Sequence, residues 1–226
     1  MGIRLAVFDL DGTLLTGSKT VMPTLARQLW RTGQHRLWGT WVFVAAASLK
    51  LLRRLGLVDN HRYTLLGTRM VVRWMAKLDP ALLEEVLDQT ACQLLRSARP
   101  QMLEELRQRQ TEGYRTVILS AVVQPLLERI AGALGCEAVG TPLEQTPDGR
   151  LTGRMGPFCS GTGKREALFA WAARLGEPVD WAHSLAYADT LPDVAVLETV
   201  GEAVAVAPEP RLRRWAAERG WRVIEG

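Results

Sequence analysis

Short apolar runs in this chain repeatedly end on residues that can bind cations or anions. The carboxyl ends of parallel strands meet at one edge of an open sheet, so side chains that follow such strands converge there. Carboxylates at that edge can hold a hard cation, and a lysine beside them can hold an anion. The candidates are Asp9 and Asp11 after residues 3–8, Ser120 after residues 114–119, Asp189 and Asp193 after residues 184–188, and Lys164 after a glycine-containing stretch. The sequence therefore predicts a site that binds a cation and an anion together.

The apolar runs and the segments between them indicate an α/β fold. Residues 3–8 are almost wholly apolar, which is typical of a parallel strand buried on both faces. Helical patterns separate this run from later ones, for example after Pro100 and between Lys164 and Gly176. The alternation predicts a Rossmann-like parallel sheet flanked by helices. Further strands are expected at residues 114–119, 184–188, 203–207 and 222–224, with a hairpin turn at Asp148-Gly149.

Residues 16–99 show no strand pattern and are too many for a loop in a compact domain. Asp79-Pro80 begins a segment in which apolar residues recur at helical spacing. We therefore expect a Rossmann-like catalytic core formed by residues 1–15 and 100–226, with residues 16–99 inserted as a helical cap. Within this cap, residues 37–49 are thirteen uncharged residues, fewer than the roughly 20 that a membrane-spanning helix needs.

Composition indicates a folded protein whose basic residues are concentrated in one segment. The 226 residues are 47% hydrophobic, which is enough for a buried core. Three cysteines without a CxxC pair indicate neither a disulfide framework nor a zinc site, and no secretion signal is recognisable, so a cytoplasmic location is expected. Residues 16–79 hold eleven Lys or Arg and two Asp, a formal charge of +9, whereas the whole chain carries +4. The predicted cap is therefore the part suited to anionic partners.

Four motifs resemble those of the haloacid-dehalogenase-like hydrolase superfamily. Residues 8–14 read FDLDGTL, which is similar to the first motif of that superfamily, and residues 187–193 read YADTLPD, where the fourth motif is usually close to YGDSxxD. Ser120 in VILSA matches the second motif, and Lys164 in GKREAL matches the third. The insertion directly after the first motif resembles the helical cap of the phosphoserine-phosphatase-like branch, subfamily IB.

The fourth motif departs from the superfamily pattern at three positions. Ala188 replaces the usual glycine, and Thr190 with Pro192 alters the turn between the two aspartates. Asp193 also has a structural interpretation, because residues 190–193 fit a capping box with an acid at the third helical position. Two interpretations of Asp193 stay open: support of a metal site, or capping of a helix.

The resemblance implies a phosphatase mechanism with a covalent intermediate. Asp9 would attack phosphorus and form an aspartyl-phosphate, which divides one difficult hydrolysis into two easier steps. Asp11 would protonate the leaving oxygen and later take a proton from the attacking water. The resemblance also implies Mg²⁺ as cofactor. Its ligands would be the Asp9 carboxylate, the Asp11 backbone carbonyl and the Asp189 carboxylate, with Asp193 and Thr13 in support, while Ser120, Ala121 and Lys164 would bind the phosphoryl group.

The predicted function is hydrolysis of a phosphomonoester, either a small metabolite phosphate such as phosphoserine or a phospholipid head-group phosphate. Dehalogenase chemistry is an alternative, but Asp11 argues against it because a halide needs no proton as it leaves. A second alternative is a non-catalytic module that binds anionic membranes. Peripheral contact at the inner face of the membrane stays open because Trp30, Trp38 and Trp41 accompany the basic charge of the cap. No nucleic-acid partner is expected, and the oligomeric state is not predicted.

Overall fold

A central sheet of six parallel strands organises the computed structural model, which describes residues 2–17 and 21–225. Its strand order is β3-β2-β1-β6-β7-β8, so the order along the chain reverses between β1 and β6. Open parallel sheets bind ligands at such a switch point. This arrangement confirms the predicted Rossmann-like fold. The strands are β1 (Leu5–Phe8), β2 (Arg115–Val123), β3 (Glu137–Thr141), β6 (Leu185–Ala188), β7 (Glu202–Val206) and β8 (Arg222–Ile224), while β4 (Leu143–Gln145) and β5 (Leu151–Met155) form a separate antiparallel hairpin.

The sequence pattern predicted the turn of the hairpin correctly but not the end of the second strand. The predicted turn at Asp148-Gly149 does connect β4 and β5, and Gly149 has φ +82°, which favours glycine. The prediction that a strand ends before Ser120 was wrong, because β2 continues to Val123. Its register with β3 shifts between Leu119 and Val123, so Ser120 lies at an irregularity within the strand.

Helices occupy most of the chain outside the strands. The segment between β1 and α5, which we call the helical insertion, contains α1 to α4. Asp79 caps α4, as its sequence predicts, by accepting a hydrogen bond from the Ala81 backbone N–H at 3.0 Å. The helices are α1 (Val21–Arg31), α2 (Arg36–Arg54), α3 (Asn60–Met75), α4 (Pro80–Leu95), α5 (Pro100–Thr111), α6 (Gln124–Ala133), α7 (Thr162–Ala172), α8 (Val194–Leu197) and α9 (Pro210–Arg219). The predicted domain boundaries at residues 15 and 100 stay a prediction.

The two ends of the helical insertion lie side by side. The backbone N–H of Thr16 donates to the Ser97 carbonyl at 2.8 Å, and the backbone N–H of Arg99 donates to the Leu14 carbonyl at 2.8 Å. The chain therefore leaves and re-enters the sheet region at neighbouring positions. None of the described helices is both long enough and apolar enough to cross a membrane.

Apolar side chains on both faces of the sheet fix the position of the first strand. Ala6 and Phe8 belong to a core shared with the helical insertion, α5 and α6. Leu5 and Val7 belong to a second core with α7, α8 and α9. All four side chains are buried, as the continuous apolar run predicts. Burial on both faces holds the carboxyl end of β1, and the residue that follows it, in one position.

Candidate active site

Three aspartates converge at the carboxyl ends of β1 and β6. Asp9 directly follows β1, Asp189 directly follows β6, and Asp193 lies in the short turn after Asp189. One carboxylate oxygen from each lies within 4.8 Å of the others, and all three residues are buried. They meet because β1 and β6 are hydrogen-bonded neighbours at the switch point of the sheet. The structure thus brings together three of the residues that the sequence places at this edge.

Lys164, in the first turn of α7, is the buried cation of this cluster. Its Nζ lies 2.6 Å from Asp9 Oδ1 and 2.5 Å from Asp193 Oδ1. Burial disfavours the ammonium, but the carboxylates of Asp193 and Asp9 outweigh that effect and raise the pKa of Lys164 above its ordinary value. If all three carboxylates were ionised, one ammonium would leave the cluster with two uncompensated negative charges.

Burial raises the pKa values of two of the aspartates, and repulsion between the carboxylates adds to the rise. Burial raises the pKa of Asp9 to about 7; Lys164 opposes this shift, and the charge of Asp193 adds to it. Burial also raises the pKa of Asp189 to about 8, with further repulsion from Asp9 and Asp193. One lysine is therefore too little positive charge for three buried carboxylates. A bound divalent cation would balance the cluster and favour the ionised forms.

Two further features of Asp189 fit a cation site. Its Oδ1 is buried and has no hydrogen-bond partner among the described residues, which is costly unless something else satisfies it. Gly12 packs against the same carboxylate: a Cβ at this position would overlap Asp189 Oδ2, and its φ of +94° also favours glycine. The loop after β1 can therefore approach Asp189 closely only because residue 12 is glycine.

The remaining predicted residues lie around this cluster. Asp11 is half-buried and lies outside the group of three converging carboxylates, and it lines the site cavity, as does Ala121. Ser120 is buried, and its Oγ accepts a long hydrogen bond of 3.4 Å from the backbone N–H of Val122. Thr13 is fully buried, and its hydroxyl has no partner among the described residues.

Asp193 contacts both the charged cluster and Thr190. Its Oδ1 pairs with Lys164, and its Oδ2 accepts a hydrogen bond from Thr190 Oγ1 at 2.9 Å. The predicted capping box lies at the short turn of residues 191–193, where Thr190 makes no side-chain capping hydrogen bond to the described residues. Asp193 belongs to the charged cluster through its contact with Lys164, while support of a metal site and helix capping both stay predictions.

Sequence reasoning missed two side chains that line the same cavity, which has a volume of about 770 Å³. Arg99 Nη2 donates to the Gly12 carbonyl at 3.2 Å, and Glu209 Oε1 accepts from the backbone N–H of Leu191 at 3.0 Å. Arg99 directly precedes Pro100, so in the sequence it reads as part of a helix start. Only the adjacency of the two insertion ends brings it next to the first motif.

The fold and the site together define a Rossmann-like enzyme with a helical insertion and a buried acidic centre at its switch point. The chain belongs to the haloacid dehalogenase-like hydrolase family, whose model matches residues 6–198. This confirms the resemblance carried by the four motifs and the prediction of a hydrolytic enzyme.

Known relatives and structures agree with this placement. Phosphoserine phosphatase SerB1 of Mycobacterium tuberculosis is 33% identical over 228 residues, which cover 96% of this chain and 69% of that protein. A crystal structure of a protein of unknown function from Bordetella pertussis Tohama I is 27% identical with a TM-score of 0.82, covering 100% of this chain and 99% of that one. A phosphoserine phosphatase solved as a phospho-aspartyl intermediate analogue shares the fold, with 20% identity, a TM-score of 0.62 and coverage of 100% and 95%. Probable phosphatase Rv3661 of Mycobacterium tuberculosis is 37% identical over 112 residues, and this match covers 50% of this chain and 38% of that protein.

Proposed function

We propose that this chain is a phosphatase that hydrolyses phosphomonoesters through a covalent intermediate on Asp9. The observation that carries the proposal is the environment of Asp9, a buried carboxylate 2.6 Å from Lys164 Nζ and beside Asp189. A phosphoryl group bound here meets a nucleophile and a fixed positive charge, both on buried side chains. The phosphatase names of relatives support the same reaction class.

The proposed reaction has two steps. An Asp9 oxygen forms a bond to phosphorus while the bond from phosphorus to the ester oxygen breaks, and Asp11 gives its proton to that oxygen. Asp11 then takes a proton from a water molecule that attacks phosphorus, which releases phosphate and restores Asp9. Ser120, Ala121 and Lys164 would bind the phosphoryl oxygens, with charge supplied by the lysine.

We further propose Mg²⁺ as the cofactor. The Asp9 and Asp189 carboxylates and the Asp11 backbone carbonyl would be its protein ligands, with Asp193 and Thr13 in support, because oxygen ligands suit this hard cation. The unpartnered Asp189 Oδ1 and the raised pKa values of Asp9 and Asp189 support this assignment. When bound, the metal would neutralise charge on the phosphoryl group and so lower its repulsion of a nucleophile.

Phosphate release from a panel of phosphomonoesters tests the proposed function. The panel includes amino-acid, sugar, nucleotide and lipid phosphates, each assayed with Mg²⁺ and with a chelator. We expect turnover of at least one ester, loss of that turnover when Mg²⁺ is chelated, and recovery when Mg²⁺ is added back. No release from any ester would contradict the phosphatase proposal, and an undiminished rate with the chelator would contradict the metal assignment.

One face of α2 exposes a row of apolar side chains to solvent. Leu37 and Leu55, at opposite ends of this face, are 90% and 63% exposed. Apolar residues recur between them at helical spacing and are exposed as well, namely Trp41, Val44 and Leu51. By contrast, the Trp30 ring packs edge-on against the buried Trp74, with ring centroids 6.4 Å apart.

We propose that this face of α2 contacts the surface of an anionic membrane. The sequence segment around it carries a formal charge of +9, which complements anionic head groups, and each basic side chain near such a surface contributes roughly 1 kcal/mol. Exposed apolar side chains on the same helix would enter the head-group region.

Vesicle flotation tests this contact. We expect binding to vesicles of phosphatidylglycerol and phosphatidylcholine at low salt, release at high salt, and little binding to phosphatidylcholine alone. The double variant Val44→Glu/Leu51→Glu should lose the binding while keeping its thermal unfolding temperature, because both positions are exposed. Failure of the native chain to bind anionic vesicles would contradict the proposal, as would a dimer that buries this face in solution.

A further inference from the structure

A second cavity, which we call the apolar cavity, lies between α1, α2 and α3 and has a volume of about 420 Å³. This volume lies within the range of small-molecule binding sites. Most of its lining side chains are apolar, among them Met22, Ala26, Val42, Phe43 and Val71. An apolar lining of this kind favours an apolar occupant, because water there gains few hydrogen bonds.

The apolar cavity adjoins the cavity that contains the aspartate cluster. Asp11, Thr64 and Ala121 line both cavities, so the boundary between polar and apolar space lies at Asp11. In the proposed reaction, Asp11 protonates the ester oxygen, the atom that joins the phosphoryl group to the alcohol. A phosphoryl group beside Asp9 would therefore have its alcohol portion directed into the apolar cavity.

We infer that the apolar cavity binds the leaving alcohol and that the preferred substrates are phosphomonoesters of apolar alcohols, such as alkyl or acyl-bearing phosphates. This inference rests on the proposed phosphatase function and specifies its substrate class. Each methylene moved from water into the cavity would favour binding by up to about fourfold.

The charges in the lining disfavour a small zwitterionic substrate. Among the described residues that line the apolar cavity, the charged ones are Asp11, Lys50 and Arg53. The ammonium group of phosphoserine would need a carboxylate partner, and the acid present, Asp11, is already assigned to proton transfer. A buried ammonium without such a partner is strongly disfavoured.

The two cations in the lining of the apolar cavity both belong to α2 and differ in exposure. Lys50 is exposed, and Arg53 is half-buried, where it donates to Asn60 Oδ1 at 3.0 Å and lies 4.8 Å from the centre of the Tyr63 ring. Because Asn60 also lines the cavity that contains the aspartate cluster, Arg53 lies towards the polar end of the apolar cavity. Neither cation offers a partner to the ammonium group of a zwitterionic substrate.

A series of alkyl phosphates from ethyl to octyl, used below their micelle-forming concentrations, tests the inference. With the native chain and Mg²⁺, we expect kcat/KM to rise with chain length and to exceed kcat/KM for phosphoserine at the octyl ester. A flat or falling series with phosphoserine preferred would overturn the inference and leave the proposed phosphatase function intact. Absence of phosphate release from every ester would instead overturn the proposed function.

Gly67 offers a way to fill the apolar cavity without a backbone clash. It lies in the middle of α3 and lines the cavity, and a Cβ at this position would meet nothing within 4 Å. Gly67→Leu should therefore fold, since leucine is also a better helix former than glycine. We expect this variant to lose at least tenfold more kcat/KM for octyl phosphate than for ethyl phosphate.

Gly132→Leu is the matched control. Gly132 is also a helical glycine at which a Cβ would meet nothing within 4 Å, but it lies in α6, away from the lining of the apolar cavity. Its chain-length profile should equal that of the native chain. Equal losses for both esters in Gly67→Leu, or the same change of profile in Gly132→Leu, would contradict the placement of the alcohol in this cavity.

Discussion

Asp9→Asn is expected to lower the rate of phosphate release by roughly 10³-fold or more, because the amide cannot attack phosphorus. The substitution nearly preserves the volume of a buried side chain, so the fold should persist. Lys164 keeps its second carboxylate partner, Asp193, at 2.5 Å. Retention of more than a few per cent of the native rate would contradict the covalent mechanism.

The same variant, although inactive, should be at least as stable as the native chain when no metal is bound. Burial, opposed by the charge of Lys164 and aided by that of Asp193, raises the pKa of Asp9 to about 7, so the ionised form is disfavoured in the folded chain. Replacing Asp9 with a neutral amide removes the cost of burying this charge, and the thermal unfolding temperature in the presence of a chelator should not fall. Asp148→Asn, the same change in the exposed hairpin turn, is the control and should keep both the native rate and the native stability.

Asp11→Asn is expected to lower the rate by about 10²–10⁴-fold for an alkyl phosphate, whose leaving oxygen needs a proton. The loss should be much smaller for p-nitrophenyl phosphate, because its leaving group departs without protonation. The concentration of Mg²⁺ needed for half-maximal rate should change little, since the proposed ligand is the backbone carbonyl of residue 11. Asp11 also lies outside the three converging carboxylates.

Rates for the two esters, measured under the same conditions, decide between proton transfer and a structural role for Asp11. A structural role would give equal losses for both esters, and that result would contradict Asp11 as the acid for the leaving group. A large rise in the Mg²⁺ requirement would contradict the assignment of the backbone carbonyl as the ligand.

The sequence predicted the position of the aspartates because their placement depends on local patterns. A continuous apolar run fixes a strand buried on both faces, and a parallel sheet then brings the ends of neighbouring strands together. Asp9 and Asp189 follow directly from this reasoning, since β1 and β6 are neighbours. The catalytic and ligand roles assigned to them stay predictions.

Other features could not be predicted, because they depend on contacts between distant segments. The third strand, β3, was missed since Glu137 and Gly140 interrupt its apolar pattern, and its pairing with β2 is irregular. Arg99 belongs to none of the four motifs, and only the contact between the two ends of the insertion brings it next to Gly12. The apolar cavity arises from the packing of three helices, and helical periodicity alone does not specify which faces leave space between them.

The two ends of the helical insertion, at residues 14–16 and 97–99, are joined by backbone hydrogen bonds, and this affects how the sequence of the insertion can change. Because the helical insertion enters and leaves at neighbouring backbone positions, its length and sequence can change without any strand of the sheet having to move. Asp9, Lys164 and Asp189 all lie outside the helical insertion, next to the sheet. Most of the apolar cavity, by contrast, is lined by α1, α2 and α3 of the insertion. Substrate selectivity can therefore change through the helices of the insertion while the reacting groups keep their positions.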